Sequence, residues 1–301
     1  MFGALPERIT FTVDVEEDGT GPAQALAMTA RLLDLLDETG AKGSFFVVGT
    51  LAEAQPALVR AIAARGHEIG CHGHHHRALA EERPEGLRAD LARARAVLED
   101  QAGAAVRGFR APLFSLTPVV PWVPSVLAEA GFTYSSSVLP ARNWLHGWPG
   151  APRAPFLWPS GVLEIPVPLA RLGPLELPVL GGMYLRYIPP WDLRRMARRL
   201  GRDGAAVWSY CHPYDLDAEA RFTRRAETGL AGSLFLWMNR GAMARRLRAV
   251  LEGRRSVPFA ARLGEFREGA AVFSPSPALA GEGRGGGSRR GADNPHPSPP
   301  P

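Results

Sequence analysis

Along most of the chain, stretches with helical spacing of apolar residues alternate with short runs that are apolar almost throughout. In ALAMTARLLDLLDETG, Leu32, Leu35 and Leu36 fall on one helical face and Gly40 ends the pattern; SFFVVG follows as a buried strand. ALVRAIAARG stops at Gly66 and HEIGCH follows. PEGLRADLARARAVLEDQAG carries Pro84 near its start, where a missing N–H is harmless, and VRGFRAP follows. PSVLAEAG leads into FTYSSS, and PWDLRRMARRLGRDG into AAVWSYCHP. With ITFTVDVEE at the head, the pattern predicts six strands alternating with five helical stretches.

Such alternation predicts an α/β fold of parallel strands joined by right-handed crossovers. An open doubly wound sheet and a closed or nearly closed barrel both satisfy it. Two features favour the barrel. No glycine-rich phosphate loop follows the first strand, and unusual polar residues follow several strands rather than one. In a barrel all of those strand ends meet on one face.

Composition narrows the picture. Of 301 residues 46% are hydrophobic, enough for a sizeable core. The net charge of +5 is almost all arginine, since Lys42 is the only lysine. The arginines from Arg186 to Arg255 are spread over helix-like segments beside acids, so no nucleic-acid partner is expected. Two cysteines, Cys71 and Cys211, make no disulfide framework and read as small buried thiols. The N-terminus lacks an apolar signal core, and no apolar run approaches the roughly 18 residues of a membrane span. A cytoplasmic chain with reduced thiols is expected. The segment 140–190 is rich in Pro, Gly and Trp and is expected to be a β-rich insertion or a long substrate-facing loop within a domain of residues 1–272. Residues 273–301 read as a disordered tail.

Five of the eight histidines lie in HEIGCHGHHHR, His67 to Arg77. His72 and His76 are four apart, so on one helical turn both rings project to the same side with metal-ligand spacing; a solvated histidine loop is the plainer alternative. His74 and His75 are expected at the surface, and His67 in a structural role. Asp14 and Glu16 are two apart at a strand end and share a face. Either they meet a cation that relieves their repulsion, or they merely cap the strand, as Glu17 and Asp18 are expected to do. Arg110 in GFRAP is either a surface residue or a bidentate partner for a carboxylate. His212 in YCHPYD ends an apolar strand and is a candidate general acid or base, or a buried histidine satisfied by backbone. If one barrel mouth gathers them, two histidines and one carboxylate give three ligands with an open position, as a catalytic zinc site requires. A free carboxylate and a lone histidine then complete a metal-assisted hydrolysis of an amide or ester.

In order, TVDVEED, HEIGCHGHHHR, GFRAP and YCHP resemble the motifs of the polysaccharide deacetylase family, also known as the nodulation-type deacetylase domain or carbohydrate esterase family four. The likeness is greatest to the branch associated with exopolysaccharide biosynthesis, and covers about residues 8–260. It implies a distorted (β/α)7 TIM-like barrel, a divalent metal, usually zinc, and removal of N-acetyl groups from an N-acetylated glycan. By position it implies Asp14 as general base, His72 and His76 as metal ligands, Arg110 holding Asp14, His212 as the acid, and the backbone N–H near Leu113 as oxyanion donor. Two positions depart from the family. Val15 stands where many members carry a metal-binding Asp, so Glu16 is taken as the third ligand. Ser135 stands where many members carry an Asp that tunes the acid, and Asp215 is the candidate replacement. Trp144, Trp148, Trp158 and Tyr184 form a sugar-stacking platform or the core of the insertion. The basic amphipathic stretch from Trp237 to Leu263 either packs ordinarily or touches a membrane surface. An allantoinase-like hydrolase and a catalytically inactive carbohydrate-binding barrel are the alternatives on the same fold.

Overall fold

The computed structural model describes residues 8–142, 146–172, 175–182, 184–189, 191–193, 195–196, 200, 206–224 and 229–275. The first part of the chain is β1 (Arg8–Val15), α1 (Pro22–Glu38), β2 (Gly43–Val47), α2 (Gly49–Ala54), α3 (Pro56–Ala64), β3 (Glu68–Cys71), α4 (Pro84–Ala102), β4 (Gly108–Phe109), α5 (Val123–Glu129) and β5 (Tyr134–Ser135). The second is β6 (Phe156–Leu157), β7 (Leu163–Glu164), β8 (Ala170–Leu172), β9 (Leu175–Leu177), α6 (Tyr184–Tyr187), β10 (Trp208–Cys211), α7 (Gly229–Trp237), α8 (Met243–Leu251) and β11 (Arg255–Ser256).

The strands curl into a mixed sheet of order β10-β1-β2-β3-β4-β5-β7-β6, with β11 beside the start of β1. From β10 to β7 all neighbours are parallel, and β6 runs antiparallel at the edge. The result is an α/β half-barrel. Alternation along each strand decides what it buries. Phe11, Val13 and Val15 of β1, Phe45 and Val47 of β2, and Ile69 and Cys71 of β3 join Leu32, Leu58, Leu91 and Leu98 of the helices in one core. Phe46, Tyr134, Leu163 and Trp208 face the other way and fill the barrel with Phe259. Each such buried side chain contributes about 1.5–3 kcal/mol over its exposed state.

The base of the barrel is closed by polar groups. The Glu68 carboxylate accepts Ser44 Oγ–H (2.5 Å), Tyr134 O–H (2.8 Å) and Ala260 N–H (3.0 Å), and burial pushes its pKa up.

Several expectations change. The segment 140–190 is not set apart from the barrel: β7 lies within it and pairs with β5 as the seventh parallel strand. α2 has no clear apolar period and escapes the six-strand, five-helix pattern. Trp148 and Trp158 are buried against Phe156 and Phe273 and offer no sugar platform; Trp144 lies outside the described residues. Phe273 belongs to that cluster and donates its N–H to Leu157 C=O (2.8 Å), so the packed chain runs through it; from residue 276 the expected tail lies outside the described residues. The basic stretch is not one helix: it starts at the last residue of α7, turns at Asn239 (φ 63), and holds α8 and β11. Within it α8 buries Met243, Leu247 and Leu251 in ordinary packing. Among the described residues no helix is long and apolar enough to cross a membrane.

Candidate active site

The parallel ladder continues one rung past the strand ends. Val48 N–H donates to Val15 C=O, His72 N–H to Val47 C=O, Arg110 N–H to Cys71 C=O and Ser136 N–H to Phe109 C=O, at 2.9–3.2 Å. These rungs bring Glu16, His72, Arg110 and Ser136 to one rim although they lie far apart in sequence.

Glu16, His72 and His76 each offer a ligand atom there, all within 4.8 Å of one another. Glu16 Oε2 lies 3.4 Å from His72 Nε2 and 2.5 Å from His76 Nε2. The buried His76 Nε2 has no partner in hydrogen-bonding geometry. His72 Nδ1 is 2.8 Å from Arg110 C=O, so Nδ1 carries the proton and donates it, leaving the Nε2 lone pair free. Three converging donors, one of them a buried nitrogen without a hydrogen-bond partner, fit a divalent cation. Burial works to raise the Glu16 pKa, but His76, His212 and His72 outweigh it and hold the carboxyl well below its usual range. Burial likewise works against a charged His76, but Glu16 outweighs it and raises the pKa.

The expected helical turn from His72 to His76 is not formed. Gly73 (φ 74) and His76 (φ 53) are left-handed, and the chain bends instead of coiling. Other groups fix the bend. Gly49 and Thr50, at the start of α2, donate N–H to Gly73 C=O (2.9 Å) and His74 C=O (3.0 Å). The Asp90 carboxylate of α4 accepts His74 N–H (2.6 Å) and His75 N–H (3.2 Å), and lies 2.7 Å from His75 Nδ1. His74 is fully buried, contrary to its expected place at the surface. It packs so close to Gly49 that a Cβ there would overlap its ring. His75 is partly exposed, and His67 is structural, its Nδ1 accepting Gly43 N–H (3.1 Å).

On one flank Asp14 Oδ1 pairs with Arg110 NH1 at 2.6 Å, both groups buried. Arg110 also donates to Thr12 Oγ1, Ser136 C=O and Ser136 Oγ, and its guanidinium lies 4.2 Å from the Phe46 centroid and 4.6 Å from that of Trp208. Leu113 follows in a tight turn over 112–114, left-handed (φ 59) and half exposed.

On the other flank His212 Nε2 lies 3.8 Å from Glu16 Oε1. Asp215 Oδ2 accepts the His212 N–H (2.9 Å) and is 3.2 Å from its Nδ1. Burial works against a protonated His212, but Glu16, Asp215 and Asp14 outweigh it and raise its pKa. Burial works against an ionised Asp215, but His212 and the buried Arg186, 3.3 Å away, hold its pKa low. Tyr214 stacks on the His212 ring at 4.6 Å and donates its O–H to Glu16 Oε1 (3.1 Å). Asp18 does more than cap a strand: it pairs in a buried bridge with Arg240 (3.2 Å), which lies over Tyr214. Sequence reading missed Arg186, Tyr214, Asp18 and Asp90; the acid–helix spacing of Asp90 carried no signal, and Arg186 looks like one more surface arginine.

Ser135 is hydrogen-bonded to Ser137 (2.8 Å), not to His212. The Glu164 carboxylate of β7 accepts the N–H groups of Ser137 (2.6 Å) and Val138 (2.9 Å) nearby, and burial raises its pKa. Cys71 and Cys211 are free and buried, and burial pushes the Cys71 thiol to about 12.

Residues 6–135 match the polysaccharide deacetylase family, and residues 136–262 match a domain of unknown function (DUF3473). A chitooligosaccharide deacetylase of Sinorhizobium fredii is 35% identical over 132 residues, covering 42% of this chain and 57% of that protein. One from a Bradyrhizobium species is 30% identical over 141 residues, covering 46% and 59%. A peptidoglycan-N-acetylglucosamine deacetylase of Bacillus cereus is 34% identical over 87 residues, covering 29% and 32%. The chain thus spans from a third to under two thirds of these relatives' length. A crystal structure from Mycobacterium smegmatis, of a protein assigned as a polysaccharide deacetylase, superposes with TM-score 0.62 at 21% identity over 92% of this chain and 96% of that one, which shows a shared fold. Residues 6–135 are thus a polysaccharide deacetylase domain.

Proposed function

We propose that the chain is a divalent-metal-dependent hydrolase that removes N-acetyl groups from an acetylated amino sugar in a polysaccharide or its precursor, with zinc as its ion. The observation that carries this reading is the convergence of Glu16, His72 and His76 between two buried titratable pairs, Asp14 with Arg110 and His212 with Asp215. The chitooligosaccharide deacetylases among its relatives support the substrate class. Exopolysaccharide assembly as the setting rests on the likeness of the sequence motifs.

Glu16, His72 and His76 would hold the ion. When bound, it supplies Lewis acidity that polarises the acetyl carbonyl and lowers the pKa of a water. Asp14 takes the proton of the attacking water, and Arg110 fixes its carboxylate. The Leu113 N–H donates to the oxygen that gains charge. His212, with Nδ1 toward Asp215 and Nε2 facing the site, gives a proton to the departing sugar nitrogen. Glu16 and Asp215 raise its pKa and so favour the protonated form that this role needs.

The test measures acetate release from chitooligosaccharides together with metal content on the same sample. His72→Ala should lose both ion and turnover. Asp14→Asn should keep the ion and lose about 10²–10⁴ in kcat, the usual contribution of a positioned base. Ring opening of cyclic ureides without acetate release would point to the allantoinase-like hydrolase. Sugar binding without turnover or bound ion would point to an inactive barrel.

A further inference from the structure

Helix α7 is out of place in a water-facing position. Its sequence, GLAGSLFLW, has no charged residue, and a helix apolar all round normally belongs inside a protein or in lipid. Yet Leu230 is 60% exposed, Leu234 41%, Phe235 36% and, just past the helix end, Met238 39%. Leu230, Leu234 and Met238 are spaced by four and share one face. Phe222, also exposed, packs its ring edge-on against Trp237 at 5.8 Å and extends the apolar surface.

The charges within the segment that carries this surface have one sign. Residues 228–251 contain no Asp or Glu but four arginines: Arg240, Arg245, Arg246 and Arg248. Arg240 and Arg248 are paired with Asp18 and Glu38. Among the described residues no carboxylate lies within ion-pair distance of Arg245 or Arg246. Arg221 and Arg224 flank Phe222 in an exposed segment, and Arg221 lines a small cavity with Ser233, Leu236 and Trp237 on the same helix. An apolar face edged by unpaired cations matches a surface that is anionic outside and hydrocarbon beneath.

We propose that the face made by Phe222, Leu230, Leu234, Phe235 and Met238 seats the protein reversibly on an anionic lipid surface, with Arg221 and Arg224 meeting the headgroups. Arg186 joins the end of α7 to the site, donating NH1 to Met238 C=O (3.1 Å) while its NH2 pairs with Asp215, so a seated molecule works beside the lipid. The inference stands independently of the reaction assigned above.

Co-sedimentation of the full chain with phosphatidylglycerol-containing vesicles and with pure phosphatidylcholine vesicles tests it. The chain should pellet with the anionic vesicles, less with the neutral ones, and less as salt rises. Leu234→Glu and, separately, the more exposed Leu230→Glu should each lower the bound fraction on the order of tenfold, by loss of one buried apolar side chain to lipid. Both should keep the wild-type melting temperature and the wild-type rate on a soluble glycan. Absence of binding to either vesicle overturns the proposal. So does binding that survives both substitutions, or a wild-type dimer in solution that Leu234→Glu makes monomeric, which would assign the face to a second copy.

Discussion

The two flanks of the site are built by different means. The half from β1 to β5 sets Asp14, Glu16, His72 and Arg110 on consecutive rungs of one parallel ladder, so regular secondary structure alone brings them together. The half after β5 brings one acid–base group, His212, on a strand, and supports it with residues from irregular segments: Asp215 in a 3₁₀ turn, Arg186 in the short α6, and Arg240 after α7. In the first half the ladder supplies the precision. In the second, buried charge pairs supply it. His212 itself still rides on the ladder, since Cys211 of β10 pairs with Val13 of β1; the ion pairs fix the irregular segments gathered around it.

The sharpest way to break this comparison is Arg110→Met. The Asp14 carboxylate would be left buried without its cation, a loss of about 3–5 kcal/mol that urea unfolding would record. Arg186→Met should cost less, because Nε and NH2 of Arg186 already lack hydrogen-bond partners and Asp215 keeps His212. Equal costs would mean that the two flanks are held alike.

Next in size is Asp90→Ala, which releases His74 and His75 N–H from the bend between the ligands. Metal affinity should fall about 10–100-fold, the usual scale for loss of a group that orients a ligand. Asp90→Asn, which still presents one acceptor oxygen, should recover part of it. An unchanged dissociation constant in a competition titration would show that α2 alone holds the bend.

This bend also marks where sequence pattern stops being informative. The strands from β1 to β5, and the polar tips they carry, are legible because apolar period and strand-end chemistry coincide there. The loop from His72 to His76 is not: four-residue spacing reads as a helical turn, while the backbone is set by Gly73 φ and by acceptors on α4, distant in sequence. Trp148 and Trp158 look like a binding platform because aromatic type does not reveal burial; β7 and Phe273 enclose them. Arg186 and Arg240 are indistinguishable by sequence from the surface arginines around them, and only tertiary contact with Asp215 and Asp18 sets them apart.

Asp215→Asn probes the charge on the second flank while keeping its hydrogen bonds. His212 has a raised pKa: burial opposes the charged form, and Glu16, Asp215 and Asp14 more than offset it. Removing the Asp215 charge lowers that pKa, so the acid form of His212 is lost at lower pH. The alkaline limb of kcat should therefore move to lower pH, while metal content stays as in the wild type. A limb that does not move would assign it to a group other than His212.

The smallest expected effect sits where the two halves touch. Tyr214 belongs to the second half, yet its O–H donates to Glu16 of the first. Tyr214→Phe keeps the ring on His212, stacked within 7° of parallel, and removes the hydroxyl that donates to Glu16. A bond to a charged acceptor is worth about 1.5–3 kcal/mol at most. With two histidines still holding Glu16, the loss in kcat/KM should stay within about tenfold, or 1.4 kcal/mol. Metal affinity should be unchanged, because His72 and His76 approach the other oxygen of that carboxylate. A loss as large as that of His212→Ala would mean that the phenol itself handles a proton, and that the second flank carries two acid–base groups rather than one.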